Sequence, residues 1–189
     1  MFQKMADEAE ENEEAKAKWD QFYTNYSTNL KLGVIEDRIN KHRLSKLLRF
    51  HSSKVDSLTG LDDYVSRMKE KQEQIYYIGG QDVETLAASP LVERLLKKGY
   101  EVLYLTEPID EYLAPGIGSY DGKYPMVNVG REGLKLDEEK EDEERFNEEY
   151  SDLVDFLKDY HSSRLEKVVV STRLTKSPSA IVSNSWGYT

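Results

Sequence analysis

Ile75-Tyr76-Tyr77-Ile78-Gly79-Gly80, Ser89-Pro90-Leu91-Val92-Glu93-Arg94-Leu95-Leu96-Lys97-Lys98-Gly99 and Glu101-Val102-Leu103-Tyr104-Leu105 decide the fold of this 189-residue chain. The first is a short apolar run of β-type residues closed by two glycines, the pattern of a strand buried on both faces. The second is a punctuated helix, with serine at the cap, proline in the first turn, lysines in the last turn and glycine just past the end. The third is a second buried strand. Beyond it, Pro108 to Leu113 starts another helix, and Tyr124-Pro125-Met126-Val127-Asn128-Val129 reads as a third strand. Strand, helix, strand, helix, strand with short connections predicts a small three-layer α/β/α unit on a short parallel sheet, joined right-handedly.

Toward the amino end, Lys4 to Asn29 carries a helical pattern. An acidic stretch there leads into Trp19, Phe22, Tyr23 and Tyr26 at spacings of three and four, a core or helix-contact stripe. Leu30-Lys31-Leu32-Gly33 reads as a break. A second helix is expected from about Glu36 to Phe50, with Ile39, Leu44, Leu47 and Leu48 buried and Lys41, His42, Arg43, Lys46 and Arg49 outside. Ser52 to Gly60 reads as a loop, and Thr59 or Asp62 as the cap of a short helix through Lys71. Toward the other end, Asp137 to His161 predicts a helix with an acidic start, and Glu166–Ser171 and Ser179–Ser183 predict two strands around a Thr175-Lys176-Ser177-Pro178 turn.

Thirty-six acids against 26 bases give a net charge of −10, so the chain repels phosphate backbones and nucleic acid is not an expected partner. No apolar run approaches the roughly 20 residues that span a bilayer, and Met1 to Glu8 lacks the apolar core of a signal peptide. With no cysteine, thiolate nucleophiles, disulfides and cysteine-ligated zinc are excluded.

The search for chemistry returns no catalytic residue and no metal ligand set. His42, His51 and His161 are scattered over separate elements, and neither a G-x-S-x-G elbow nor a phosphate-binding G-x-x-x-x-G-K-[ST] loop occurs. Gly79-Gly80 follows a strand, but acids follow the glycines where a phosphate would sit. Gly116-Ile117-Gly118 follows a helix and reads as its stop. The charged cluster nearest a strand's carboxyl end is Asp110-Glu111-Tyr112, at the edge where open α/β sheets bind ligands. Two readings stand beside it: acids favoured by a helix dipole, or a surface turned to a partner. An alternative class is a small-molecule or nucleotide-binding α/β domain using that same edge. Asn25-Tyr26-Ser27 fits a glycosylation sequon inside a predicted helix, where modification is expected to be rare.

Asn29-Leu30-Lys31-Leu32-Gly33-Val34-Ile35-Glu36-Asp37, Leu44-Ser45-Lys46-Leu47-Leu48-Arg49-Phe50, Tyr64-Val65-Ser66-Arg67-Met68-Lys69 and Gln74-Ile75-Tyr76-Tyr77-Ile78 resemble, in order, the middle region of the 90-kDa heat-shock chaperones. So do Ser89-Pro90-Leu91-Val92-Glu93-Arg94, Glu107-Pro108-Ile109-Asp110-Glu111-Tyr112, Glu166-Lys167-Val168-Val169-Val170-Ser171 and Trp186-Gly187-Tyr188. These motifs cover nearly the whole chain. Leu48-Arg49-Phe50 together with Lys97 to Thr106 is most similar to the endoplasmic-reticulum branch of that family.

The resemblance implies a helical connector (1–58), a small α/β middle subdomain (59–136), a linking helix (137–162) and the opening strands of a mixed α/β carboxy-terminal domain (163–189). It implies an ATP-driven homodimer that remodels unfolded or partly folded clients with co-chaperones, in the endoplasmic-reticulum lumen or alternatively the cytoplasm. ATP and Mg belong, by the same resemblance, to an amino-terminal domain outside this chain, which holds no cofactor and is expected to be monomeric alone. The segment Ile109 to Pro115 would border the client-holding cleft, which makes Glu111, Tyr112 and Pro115 the candidate client-binding residues. Leu113 to Gly118 departs from the family's usual residues, where a cysteine is common after the tyrosine. Ser179 likewise stands where a cysteine is frequent.

Overall fold

The computed structural model describes residues 2–131, 134 and 140–182. In chain order the elements are α1 (Phe2–Glu11), α2 (Glu13–Glu36), α3 (Lys41–Ser45), β1 (His51–Ser52), α4 (Leu61–Ser66), β2 (Ile75–Gly79) and α5 (Val83–Ala87). They continue with a single 3₁₀ turn (Pro90–Val92), α6 (Glu93–Lys97), β3 (Val102–Leu105), α7 (Asp110–Ile117), β4 (Ser119–Tyr120), β5 (Tyr124–Asn128), α8 (Lys140–Glu149) and α9 (Ser151–Tyr160).

The three expected strands form the centre of one sheet, in the order β1-β3-β2-β5-β4. β2 runs parallel to β3, with Tyr77 opposite Leu103, and parallel to β5, with Tyr76 opposite Val127. The sheet is nevertheless mixed, not purely parallel. Two-residue strands that the sequence reading missed, β1 and β4, add antiparallel edges. Alternation along the central strands makes three layers, because neighbouring side chains point to opposite faces. Ile75, Tyr77, Leu103 and Leu105 join Tyr23, Leu30, Val34, Leu61, Leu113 and Ile117 in one core. Tyr76, Ile78, Val102 and Tyr104 join Leu86, Val92 and Leu95 in the other. The α/β/α layering is therefore as expected.

Several helix boundaries differ from the sequence reading, each for a local reason. The first helix breaks at Asn12, whose Oδ1 accepts the Glu14 N–H at 2.8 Å and caps α2. α2 then runs straight through Leu30 to Gly33, where a break was expected. Gly33 packs closely on α3: a Cβ would lie 3.1 Å from Leu44 Cδ1. The expected helix from Glu36 to Phe50 shrinks to α3 and turns. Asp37 Oδ1 accepts the N–H groups of Ile39 and Asn40, both at 3.0 Å, and this competes with a helical start. Ile39, assigned to the buried face, is 91% exposed. α4 starts on Gly60, not Thr59 or Asp62, with Asp63 Oδ2 accepting the Gly60 N–H. The expected helix over 89–99 is a 3₁₀ turn followed by α6, and α5 was missed altogether. Asp82 caps α5 by accepting the Thr85 N–H at 2.8 Å.

The expected linking helix is two helices that meet at Tyr150, and residues 137–139 lie outside the described residues. The strands expected over Glu166–Ser171 and Ser179–Ser183 do not form among the described residues. A strand needs a ladder partner, and a two-stranded ribbon by itself is marginal in water. Instead this segment is fastened by side chains. The Arg173 guanidinium donates to the carbonyls of Val129 and Arg131. Ser183 and the Trp186-Gly187-Tyr188 motif lie outside the described residues.

Candidate functional site

α7 gathers the three residues singled out from sequence. Leu113, Ala114 and Ile117 point into the core between α2 and the sheet. Glu111, Tyr112 and Pro115 are exposed on the other side, and Tyr112 is 68% exposed. The i, i+4 spacing sets Glu111 and Pro115 on one strip with Tyr112 beside it. Pro115 has no N–H, so the Glu111 carbonyl lacks its usual i+4 donor on this outward strip. Gly116 and Ile117, read as part of the stop, lie inside the helix; the stop is Gly118, which adopts φ +66 just past the last turn.

Both ends of α7 are held by lysines from the neighbouring helices. Lys31 of α2 is 2% exposed, and its Nζ lies 2.8 Å from Glu107 Oε1 and 2.8 Å from Asp110 Oδ1. Asp110 Oδ2 accepts the Glu107 N–H at 3.1 Å, while Oδ1 has a charge contact with Lys31 rather than an aligned hydrogen bond. Burial pushes the Asp110 carboxyl above the ordinary carboxylate range, and Lys31 pulls against that shift. At the other end, Lys41 Nζ donates to the Gly116 carbonyl at 2.7 Å, where a cation suits the helix dipole. Close by, the Tyr23 hydroxyl donates to the Arg49 carbonyl and accepts the Arg49 N–H, and burial raises its pKa to about 12.

The three residues of Asp110-Glu111-Tyr112 are placed differently. Asp110 is a buried structural anchor, whereas Glu111 and Tyr112 face outward. A shallow groove continues from Pro115 and Ala114 past Gly118 to Met126, Asn128 and Arg131 of the β5 side. Sequence reading missed Lys31, Lys41 and Glu107. Its one usable signal was a lysine set between Leu30 and Leu32 at a site read as a break.

The carboxyl edge of the sheet offers no open cradle at Gly79-Gly80. A Cβ on Gly80 would sit 2.7 Å from Leu86 Cδ2, so α5 fills the space a phosphate would need. The acids after those glycines include the α5 cap. Among the described residues no group of three His, Asp or Glu could hold a metal ion, and no helix is long and apolar enough to cross a membrane. Glu93, half-buried at the start of α6, is bonded to the segment after α9. It accepts the N–H groups of Thr175, Lys176 and Ser177 and the hydroxyls of Thr175 and Ser177, which depresses its pKa to about 2.

The family profile described as Hsp90 protein matches residues 1–189, and the chain belongs to the Hsp90 family. Among curated relatives it is similar to the endoplasmin homolog of Dictyostelium discoideum, 48% identical over 100% of this chain and 25% of that protein. The endoplasmin homolog of Caenorhabditis elegans is 49% identical over 91% of this chain and 23% of its own length. The chain thus spans about a quarter of the length of these relatives. Among solved structures, the middle domain of a Plasmodium falciparum heat shock protein matches with TM-score 0.57 and 38% identity, covering 59% of this chain and 47% of that one.

Proposed function

We propose that this chain is the client-contacting, motion-transmitting segment of an ATP-dependent chaperone, and that Glu111, Tyr112 and Pro115 touch unfolded or partly folded clients. The supporting observation is Tyr112: a large amphipathic ring, 68% exposed, on a helix whose opposite face is fully packed. Such a ring offers broad contact area at little entropic cost, and Glu111 adds an acceptor beside it. In this reading ATP and Mg are bound outside this segment, and the segment supplies no catalytic residue. The whole protein works as a homodimer with co-chaperones in the endoplasmic-reticulum lumen, and this chain by itself is monomeric. The proposed division is a connector over 1–58, the α/β subdomain over 59–136, a linking region over 137–162 and the start of the next domain from 163.

The test is Glu111→Ala plus Tyr112→Ala in the full-length protein, read as affinity for reduced, carboxymethylated α-lactalbumin, a permanently unfolded probe. Loss of a central aromatic and its neighbour is expected to weaken binding about tenfold, within the range for a hot spot. The thermal midpoint should stay in place, because both side chains are exposed. Unchanged affinity sinks the reading. Calorimetric titration of the 189-residue chain with ATP separates the other class: the chaperone reading expects no saturable binding, and saturation at millimolar ATP or tighter favours a nucleotide-binding domain.

A further inference from the structure

α7 is fastened at both ends to one continuous piece of chain. At its start, the buried Lys31 ammonium sits between Glu107 and Asp110, 2.8 Å from each. At its end, Lys41 donates to the Gly116 carbonyl at 2.7 Å. Between these points Ile35 Cγ1 lies 3.6 Å from where a Gly116 Cβ would be, so the backbones approach closely. We infer that Lys31 and Lys41 are positioning residues: together they make α7, and with it Glu111 and Tyr112, follow α2 rather than the sheet.

Three observations carry this. First, a buried ion pair is weak evidence for stability, since apolar residues of the same size would serve as well or better; its distinctive property is a fixed geometry. Here the two carboxylates come from the turn before α7 and from its first residue, so the pair sets the start of the helix rather than filling a core. Second, α7 has only 8 residues, too few to hold its own geometry in water, so its ends need external partners. Third, α2 has 24 residues and is about 36 Å long at 1.5 Å per residue, and Lys31 lies in its last two turns, so the clamp joins α7 to the end of a long helix. Lys41 follows α2 directly, after the Asp37–Asn40 turn. Asp37 rigidifies that turn through its bonds to Ile39 N–H, Asn40 N–H and Asn40 Nδ2. Tyr23, bonded both ways to the Arg49 backbone, ties the same rod to the chain beyond α3.

The inference rests on the client-contact reading for its functional meaning, but its structural part is tested separately. Hydrogen exchange is followed in the 189-residue chain for wild type, Lys31→Met, Lys41→Met and Lys31→Met/Asp110→Leu. The double variant replaces the buried pair with apolar neighbours, so it can recover stability without the fixed charge geometry. Exchange of the Tyr112, Leu113 and Ile117 amides should accelerate at least tenfold in all three variants, while Tyr77 and Leu103 of the central strands, in the double variant, remain within twofold of wild type. In full-length protein the double variant should weaken α-lactalbumin binding severalfold at an unchanged thermal midpoint. If exchange in α7 changes only in proportion to exchange in the sheet, or the double variant restores both, the lysines are merely stabilising and the inference falls. If α7 loosens selectively but binding does not change, the positioning role stands and the assignment of α7 as the client face fails.

Discussion

α7 and α9 are both short helices that hold aromatic rings in solvent, but they stand on different foundations. α7 buries Asp110, Leu113, Ala114 and Ile117 and is fastened at both ends. α9 buries no residue, and it exposes Leu153, Phe156 and Tyr160 along one side, with Phe156 stacked on Tyr160 at 6.0 Å. Exposure of apolar surface therefore does not by itself pick out a contact site. A partner that docks on Tyr112 meets a backbone already ordered by packing, and little further entropy is lost. A partner that docks on α9 has no such frame to meet. Of the exposed aromatics on these two helices, the one on a packed frame is Tyr112.

The largest effect expected from this contrast is at the buried charge. Asp110→Ala leaves the Lys31 ammonium with only the half-exposed Glu107 and should destabilise the chain by about 3–5 kcal/mol in denaturant unfolding. A loss under about 1 kcal/mol would mean that α7 is not anchored there. Next comes a matched pair of truncations. Leu113→Ala removes a fully buried side chain and should cost about 2–5 kcal/mol. Leu153→Ala on α9, 52% exposed, should stay within about 0.5 kcal/mol. Similar costs for the two leucines would erase the distinction between the helices.

The smallest effect is a pH dependence at Glu93. Its hydrogen bonds to Thr175, Lys176 and Ser177 favour the ionised carboxylate and lower its pKa from 4.5 to about 2. Its contribution is then present above pH 4.5 and lost as the pH falls through about 2. Glu93→Gln should flatten the wild-type loss of midpoint over that window, and amides of residues 175–177 should exchange faster at neutral pH. Asp110 acts in the opposite sense: with its pKa raised above 3.8, its contribution is greatest below that pH and shrinks as the pH rises through its folded value. The informative quantity is the difference between wild type and Glu93→Gln. An identical pH profile would show that Glu93 does not hold the 175–177 segment.

The central strands were legible in the sequence because Ile75 to Ile78 and Val102 to Leu105 are short continuous apolar runs of β-type residues, the pattern of a strand covered on both faces. The edge strands were not, since His51-Ser52 and Ser119-Tyr120 are too short to carry a period. α2 runs on through Gly33, which the sequence marks as a break; its close approach to Leu44 is a tertiary contact that no local rule contains. The outward face of α7 was visible through Glu111, Tyr112 and Pro115. The residues that hold it were hidden, because Lys31 lies 76 positions from Glu107 in a stretch read as a break, and only the fold brings the two together. Val168 to Val170 had the composition of a strand, but among the described residues they join no ladder, which composition alone cannot supply.

The claim that α7, rather than α9, is the contact face is tested most directly by site-specific photocrosslinking. A benzophenone amino acid replaces either Tyr112 or Phe156 in the full-length protein, which is then irradiated with reduced, carboxymethylated α-lactalbumin. The account predicts strong adducts from position 112 and at most background from position 156. Adducts predominantly from position 156, or equal yields from the two, would contradict it.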